Sequence, residues 1–350
     1  MGGSAIAWRQ IPALPLGRTG KLGINALTQR IAVIGAGLAG LSCARVLRRA
    51  GCYVEVFEQE RTIGGRMGST RLGGVAFDHG CQYVAAKGQR FRSFLEETTA
   101  NGYAARWNAK ASKGEEGGGQ MQPWYVGTPG MPSMLRPLAE SVRINSGRKV
   151  HTLQRIDKSW HLWFEDQTSV GPFAAVAVCI PGPEARLLLG PVPKLVDALQ
   201  KVRMSPCWAL MVRIEERAFP DQDVFSDMSQ LVRWVGRNNS KPGRSGRGDH
   251  IVIHASPAWS RETEDAEPEM VAEELWSEVS HVLSLPPMRP AQMVAHLWRN
   301  GLVETSLGET YLYSREDRIG LGGDWCLGRL AEHAFDSGAL LGKAMVDSFT

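Results

Sequence analysis

The chain has 350 residues, of which 43% are hydrophobic and 22% charged, so it can bury a large core and is expected to divide into two lobes. Its formal net charge of +4 is small for this length and argues against a general nucleic-acid or membrane-surface role. No apolar run approaches the roughly 18 residues of a spanning helix. The six cysteines are dispersed, with neither CxxC nor metal-ligand spacing. We expect a soluble, cytoplasmic protein with reduced thiols and no metal.

Residues 1–29 contain glycine, proline and a few basic residues, but no acid. They lack a continuous apolar segment of signal-peptide length, and they are poor in serine and in amphipathic periodicity. A transit peptide is the alternative interpretation. We expect a flexible N-terminal extension.

Residues 30–58 contain the motif around which the chain is organised. An apolar run ends abruptly at Gly35, and apolar residues return at helical spacing after Gly40, which predicts a strand, a tight turn and a helix. Gly35 permits the turn, Gly37 allows the backbone to approach a pyrophosphate, and Gly40 allows close packing of helix on strand. A second strand ends at Glu58, 18 residues after Gly40, near the offset of about 20 at which an acid binds ribose. The pattern predicts a dinucleotide-binding unit.

The next two segments indicate which dinucleotide is bound. Gly64-Gly65-Arg66 resembles the two-dinucleotide-binding-domain flavoproteins, in which this segment contacts FAD phosphate, and so favours FAD over NAD. Residues 73–83 predict a short hairpin and a turn. Within them, Asp-x-Gly-x-Gln-Tyr at 78–83 resembles the flavin amine oxidase and renalase group, where it runs beside the isoalloxazine. An ordinary turn is the alternative.

The middle of the chain alternates between the two expected lobes. Helix 91–98 is followed by a glycine-rich surface loop at 114–120, and then by a helix at 133–141 that Ser133 is expected to cap. The chain re-enters the first lobe through strands near 149–153, 160–165 and 173–180. In the family that the chain resembles, the position of Val150 contacts adenine through its backbone.

The rest of the chain predicts a second sheet and then a return to the first. Strands at 207–215, 231–237, 250–255 and 293–298, with one amphipathic helix at 268–285, imply an antiparallel sheet. Near the end, Gly323-Asp324 precedes a helix at 334–349. This resembles the second FAD motif, whose aspartate binds ribityl hydroxyls and whose helix points its N-terminus at the flavin. A plain turn acid is the alternative for Asp324.

Segments 233–244, 254–260, 296–298 and 323–327 together resemble bacterial renalase, within the flavin amine oxidase superfamily, over nearly the whole chain from Arg30. The resemblance implies an α/β, two-lobed flavoprotein of p-hydroxybenzoate-hydroxylase/amine-oxidase type, with a Rossmann-like FAD-binding lobe and an antiparallel-sheet substrate lobe. The FAD-binding domain is then expected at 30–85, 145–183 and 311–350, and the substrate domain at 86–144 and 184–310.

The resemblance also implies an activity. Renalase-like enzymes oxidise 2- and 6-dihydro isomers of NAD(P)H to NAD(P)+ by hydride transfer to non-covalent FAD, and molecular oxygen reoxidises the flavin to give hydrogen peroxide. The expected partners are a dinucleotide substrate and oxygen, with no nucleic acid or membrane, and the protein is expected to be a monomer or homodimer. The alternatives are a flavin monoamine oxidase, a flavoprotein monooxygenase and a dinucleotide-binding protein without turnover.

The candidate site residues follow from these motifs. His254, Trp298, Trp234 and Tyr83 are expected to line the substrate, with core packing as the alternative. The resemblance assigns FAD binding to a larger set: Gly35, Gly37, Leu38, Ala39, Gly40, Glu58, Gln59, Gly65, Arg66, Met67, Gln82, Tyr83, Val150, Pro181, Gly323, Asp324 and Ala334.

Basic side chains are concentrated at 233–247. Strand alternation would put Trp234 on the pocket face and Arg237 on the other, so we expect Arg237 and Lys241 to form a basic rim at the mouth. Such a rim would bind the pyrophosphate of a dinucleotide substrate. Arg244 and Arg247 are expected to be solvated at the hairpin tip.

Overall fold

A computed structural model describes residues 29–111, 122–140 and 142–349. The predicted extension up to residue 28 and the glycine-rich loop at 114–120 lie outside the described residues. The strands are β1 (Arg30–Ile34), β2 (Tyr53–Glu58), β3 (Thr70–Leu72), β4 (Val75–Phe77), β5 (Ala104–Arg106), β6 (Tyr125–Gly127), β7 (Arg143–Ser146), β8 (Val150–Ile156), β9 (Ser159–Phe164), β10 (Ser169–Phe173), β11 (Ala175–Val178), β12 (Arg203–Ile214), β13 (Val224–Ser226), β14 (Val232–Arg237), β15 (Asp249–Ala255), β16 (Gln292–Thr305), β17 (Leu312–Ser314) and β18 (Ile319–Leu321). The helices are α1 (Leu38–Arg49), α2 (Gln89–Ala100), α3 (Arg136–Ala139), α4 (Gly182–Leu188), α5 (Pro193–Leu199), α6 (Pro257–Glu262), α7 (Pro268–Val282) and α8 (Ala331–Asp347).

A six-stranded sheet forms the first layer, in the order β17-β18-β11-β1-β2-β7. All its pairs are parallel except the edge pair of β17 with β18. The central strand β1 is buried on both faces, as its nearly continuous apolar sequence predicts. Ile31 and Val33 belong to the core that includes α1 and α8, whereas Ala32 and Ile34 pack with the three-stranded sheet β10-β9-β8.

A five-stranded antiparallel sheet, in the order β13-β14-β15-β12-β16, forms the second layer. One face packs on α7 through Val271, Leu275 and Val279, which the predicted amphipathic pattern placed together. Val282, from the same pattern, is 41% exposed because the helix ends there. The opposite face contributes Trp234 and other side chains to the core of the parallel-sheet layer. The antiparallel sheet therefore packs against the layer that contains the dinucleotide-binding unit.

Three local predictions differ from the structure. Residues 131–139 form a 3-10 turn at Met131–Leu135 followed by α3, and Ser133 is buried within that turn and caps nothing, because a proline in the first two positions starts the turn early. Helix α8 begins at Ala331 and not at Ala334. Strand β7 pairs with β2 from Arg143 onward, so we propose that the re-entry into the FAD-binding domain lies at 143.

The contact between α1 and α8 joins the ends of the chain. The Ser42 hydroxyl lies 2.9 Å from the Phe335 carbonyl oxygen and donates to it. A Cβ added at Gly338 would lie 2.7 Å from the Ala39 carbonyl carbon and closer still to its oxygen. The two helices can approach this closely only because residue 338 has no side chain.

We predict that Gly338→Ala destabilises the protein by about 1–3 kcal/mol, although alanine is the better helix former, because overpacking this contact outweighs the propensity gain. Urea denaturation measures the effect. Gly190→Ala is the matched control, since an added Cβ there meets nothing within 4 Å. A Gly338→Ala variant as stable as the wild type would contradict this account of the packing.

Candidate cofactor and substrate site

The glycine turn between β1 and α1 has the geometry of a phosphate cradle. Gly35 has φ +99°, and a Cβ there would lie 2.5 Å from the Cys179 carbonyl oxygen. A Cβ at Gly40 would lie 3.0 Å from the Gly35 carbonyl carbon. Among the described residues no side chain caps α1, and its first turn carries no acid. Its first N–H groups and its positive dipole end are therefore available to an anion.

The space in front of this turn is open. A Cβ at Gly37 would meet nothing nearer than the Gly64 carbonyl oxygen at 3.9 Å. The Gly64 N–H donates to the Ala36 carbonyl at 3.1 Å, which holds the second glycine loop across the gap. Leu38 and Ala39 begin the helix, and Gly65 and Met67 bound the facing 3-10 turn. The cradle fits a pyrophosphate between two backbone segments.

Glu58 ends β2 beside the cradle and is buried. Its carboxylate accepts hydrogen bonds from the N–H groups of Ala36 at 2.7 Å and Glu60 at 3.0 Å. Burial raises the pKa of Glu58, and these two hydrogen bonds partly oppose the rise. The Arg148 N–H donates to the Glu58 carbonyl at 2.8 Å, which brings the start of β8, with Val150, toward the same side. Gln59 is exposed.

Arg66 and Asp324, both predicted to contact FAD, contact each other. Arg66 donates to the two carboxylate oxygens of Asp324 at 2.6 and 2.8 Å. The Gly323 N–H donates to the Ser337 hydroxyl at 3.0 Å, which fixes the turn that carries Asp324 at α8. Pro181 precedes α4, and Ala334 lies in the first turn of α8. Which of these residues contact a cofactor stays a prediction.

A turn at residues 78–83 joins this region to the antiparallel sheet. The Cys81 N–H donates to the Arg66 carbonyl at 2.7 Å. The His79 carbonyl oxygen accepts hydrogen bonds from His254 Nε2 at 3.1 Å and Trp298 Nε1 at 3.2 Å. The His79 ring stacks on Trp298, with ring centroids 5.0 Å apart. The ring centroids of Trp234 and His254 are 5.6 Å apart. Two of the four predicted lining residues therefore meet at one backbone carbonyl, and a third, Trp234, lies beside the His254 ring.

The fourth, Tyr83, belongs to a second aromatic group. It stacks on Trp124, with ring centroids 3.9 Å apart, and lies 6.4 Å from Trp107. His79 and Trp124 were not among the predicted site residues. The motif at 78–83 contains His79, but only the return of β16 shows that its ring meets Trp298.

His79 and His254, which meet at the His79 carbonyl, are neutral. Burial lowers the pKa of His254 to about 4, although the His79 carbonyl favours the charged form. Burial and neighbouring His296 lower the pKa of His79 to about 4, partly opposed by Asp78. Since a carbonyl oxygen only accepts, the proton of His254 resides on Nε2. The group can orient a ligand, but it is not set up to take up or release a proton near neutral pH.

The predicted basic rim is wrong. Arg237 is 5% exposed and pairs with Asp249, while its guanidinium also donates to the Pro220 carbonyl at 2.5 Å. Lys241 is buried against Asp78, at 3.2 Å. Arg244, expected in solvent, also pairs with Asp78 and is buried. Strand alternation predicts the two faces of β14 but not which loops cover them, so neither Arg237 nor Lys241 reaches the surface.

The described residues contain neither a cluster of metal ligands nor a membrane-spanning helix. No group of three or more His, Cys, Asp or Glu side chains within them could hold a metal ion. None of their helices is both long and apolar enough to cross a membrane.

A dinucleotide cradle on a parallel sheet, covered by an antiparallel sheet, defines the class of two-lobed flavin-dependent oxidoreductases. Residues 102–339 match the model of the "Flavin containing amine oxidoreductase" family, and residues 33–98 match that of an NAD(P)-binding Rossmann-like domain. The chain therefore belongs to the flavin-containing amine oxidoreductase family. The family implies FAD as the cofactor.

Individual relatives agree with this family. The chain is similar to renalase of Mus musculus, with 24% identity over 307 residues that cover 80% of this chain and 87% of the relative. Its fold is similar to that of a protein described as a putative protoporphyrinogen oxidase from Exiguobacterium, with a TM-score of 0.72, 11% identity and coverage of 91% and 98%. A redesigned putrescine oxidase is similar with a TM-score of 0.71, 12% identity and coverage of 91% and 99%. At these identities the solved structures show the fold alone.

We predict that Glu58→Ala weakens FAD binding about ten- to a hundredfold without unfolding the protein, because it removes charge-assisted hydrogen bonds worth roughly 1.5 to 3 kcal/mol. Flavin absorbance retained after dialysis measures the loss. Glu60→Ala, at an exposed position two residues on, is the control and should retain the cofactor. Full occupancy in Glu58→Ala would place the ribose elsewhere.

We predict that the unfolding free energy falls as pH is lowered from about 6.5 to about 4, where the unfolded histidines bind protons that folded His79 and His254 do not. Each contributes at most about 1.4 kcal/mol per pH unit. Urea denaturation at a series of pH values should give a flatter dependence for His254→Gln than for wild type. The exposed control His281→Gln should retain the wild-type slope, and an equal slope in both variants would contradict the prediction.

Proposed function

We propose that the protein is an FAD-dependent oxidase of renalase type, which oxidises 2- and 6-dihydro isomers of NAD(P)H to NAD(P)+ and uses molecular oxygen as the final acceptor, giving hydrogen peroxide. The similarity to mouse renalase, which extends over 80% of the chain, supports this choice within the family. The single observation on which the mechanism rests is the neutral aromatic group around the His79 carbonyl. We further propose that FAD is held without a covalent bond.

The cradle residues would hold the cofactor. Gly37 and the first turn of α1 would face the pyrophosphate, Glu58 would bind the adenosine ribose, and Asp324 would bind the ribityl chain. When bound, FAD supplies the acceptor for a hydride and the route of the electrons to oxygen. In the parallel sheet, β2, which ends at Glu58, and β18, which precedes Asp324, lie on opposite sides of β1. A cofactor held at both residues would therefore cross the glycine turn, and its flavin half would extend past Arg66 toward residues 79–82.

The protein's own contribution would be to bind, orient and exclude water. A dihydronicotinamide isomer already carries a transferable hydride, so no side chain has to remove a proton from it. His254 and Trp298 are held at fixed positions by hydrogen bonds to one carbonyl, and the nicotinamide ring would lie on the face of the Trp298 indole that does not stack on His79. A neutral His254, with its pKa near 4, keeps the same hydrogen-bonding pattern across the neutral range.

Oxidation of small amines is the second candidate, supported by the family match over residues 102–339. An amine substrate would need an aromatic cage for its cation. The second aromatic group already binds an internal cation, since the Lys241 ammonium lies 5.4 Å from the centre of the Trp107 ring. This contact favours the dihydronicotinamide substrate over an amine.

Anaerobic mixing separates the two candidates. The wild-type holoenzyme is mixed in turn with 2- and 6-dihydro isomers of NADH and NADPH, with ordinary NADH and NADPH, and with a panel of small amines. Rapid loss of the flavin absorbance with the isomers alone is expected. Bleaching by amines instead would identify an amine oxidase, and bleaching by none of them would overturn the proposed substrate class.

We predict that His254→Ala and Trp298→Ala slow reduction by the isomers about ten- to a hundredfold while reoxidation by oxygen is nearly unchanged, because hydride transfer depends on orientation and oxygen needs little. Stopped-flow absorbance measures both half-reactions. His281→Ala, on the exposed side of α7, is the control. Parallel losses in both half-reactions would show that these residues support the cofactor and do not orient the donor.

A further inference from the structure

Asp78, Lys241 and Arg244 form a buried charge cluster in which two cations share one carboxylate oxygen. Lys241 Nζ lies 3.2 Å from Asp78 Oδ2, and Arg244 pairs with the same oxygen. The other oxygen, Oδ1, accepts hydrogen bonds from the Ser69 hydroxyl at 2.6 Å and the Met131 N–H at 3.1 Å. The exposed fractions of the three charged side chains are 0% for Lys241, 1% for Asp78 and 2% for Arg244.

The cluster carries an excess positive charge. Within residues 29–111, 122–140 and 142–349, no second carboxylate pairs with Lys241 or Arg244. Burial alone would raise the pKa of Asp78, but Lys241, Arg244 and the two hydrogen bonds lower it to about 2, so it is ionised. Burial and Arg244 lower the pKa of Lys241 to about 8, against the pull of Asp78, so Lys241 is mostly protonated at neutral pH. Burial raises the pKa of neighbouring Cys81 to about 11, so the thiol does not balance the charge.

An uncompensated buried charge is costly, so its position in the molecule is informative. Lys241 Nζ donates to Gln82 Oε1 at 2.9 Å. Gln82 Nε2 donates to the carbonyls of Gly80, at 3.0 Å, and Asp78, and it lies 3.5 Å from His254 Nε2. The ammonium is therefore hydrogen-bonded through one amide to the backbone of the 78–82 turn, and that amide lies next to His254 without a hydrogen bond to it, because both facing nitrogens are donors.

The 78–82 turn also borders the candidate cofactor site, at Arg66. A Cβ at Gly80 would lie 3.0 Å from the Arg66 carbonyl carbon, and the Gly80 position also lies against the Trp298 ring. A dinucleotide that began at Glu58 and passed the cradle would reach Arg66 and Asp324, and the 78–82 turn contacts the Arg66 backbone there. Their bidentate ion pair is electrically neutral, so it does not offset the excess charge of the cluster.

We propose that Lys241 is a positioning residue of the oxidoreductase, which fixes the Gln82 amide and supplies an electrostatic field that favours reduced over oxidised flavin; the inference rests on the proposed placement of FAD. Hydride transfer brings two electrons and one proton to the flavin and leaves the donor oxidised, so the ring system gains one negative charge. A buried cation beside it stabilises that charge without solvent reorganisation.

The midpoint potential of the bound flavin in the purified holoenzyme, measured by dye equilibration at pH 7, tests the proposal without any substrate. Lys241→Met removes the charge and keeps the chain length. Its reduced-to-oxidised ratio at fixed potential should fall about tenfold, which is a shift of about 30 mV to more negative values for a two-electron couple. Arg247→Met removes the same charge from an exposed position of the same loop and should leave the potential unchanged.

Two further variants decide the remaining outcomes. Lys241→Gln, which can still hydrogen-bond to Asp78, replaces Lys241→Met if the latter fails to fold, and it should show the same negative shift. Asp78→Asn removes the carboxylate and should shift the potential in the opposite direction. An unchanged potential in a folded, flavin-bound neutral variant would overturn the proposal, as would loss of folding in both neutral variants, since Lys241 would then be structural.

The result is independent of the proposed substrate. A wild-type holoenzyme that none of the dihydronicotinamide isomers reduces would remove the substrate assignment, while a negative shift in Lys241→Met would still support the role of Lys241. The opposite combination, with reduction by the isomers and no shift, would overturn the role of Lys241 alone.

Discussion

The carboxylate of Asp78 is the interaction on which the candidate site depends. A buried carboxylate is tolerated only when its oxygens are paired, and here the four partners come from three separate segments, which carry Ser69, Met131, and Lys241 with Arg244. The backbone N–H of Asp78 donates to Asn238 Oδ1 at 3.2 Å. These segments have to be in place together, so Asp78 ties the region beside the parallel sheet to the loop that follows β14.

The position of the turn after Asp78 depends on these contacts of Asp78. Because the turn is held at Asp78 and by Cys81 on the Arg66 carbonyl, the His79 carbonyl is presented to the antiparallel sheet as a fixed acceptor. His254 and Trp298 are then oriented by the backbone of the opposite layer and not by each other. A site built this way is suited to holding a ligand in one geometry, and its neutral histidines add no proton-transfer group of their own.

The cofactor cradle depends on backbone geometry and not on paired charges. Gly35 and Gly40 are required because the backbone passes too close for a side chain, and Gly37 leaves open space in front of a helix N-terminus. Charge is sparse there, since the helix dipole and free N–H groups supply the attraction for phosphate. Charge is instead concentrated at the far end, where Arg66 pairs with Asp324 and the Lys241 cluster keeps one excess cation.

Features that depend on short spacing could be predicted from the amino-acid sequence. The glycine turn, the acid at Glu58 and the period of α7 are local, because each is set by the steric and hydrogen-bonding needs of a few consecutive residues. The resemblance of longer segments extended this to the two-layer fold and the FAD motifs. Alternation along β14 also placed Trp234 and Val235 on opposite faces, and the two side chains do belong to different cores, since alternation depends only on the pleat of one strand.

The partners of each strand face could not be predicted from the sequence, because they come from segments far away along the chain. His79 accepts hydrogen bonds from residues 175 and 219 positions away, a relation without a local signature in the sequence. Arg237, Lys241 and Arg244 look like a solvated basic segment, yet the side chain of each is buried, because Arg237 pairs with Asp249 on β15 and because Lys241 and Arg244 share the carboxylate of Asp78. Whether a charged side chain faces solvent or the core depends on the partners that folding brings to it, because desolvation is tolerated only where a counter-charge is already present.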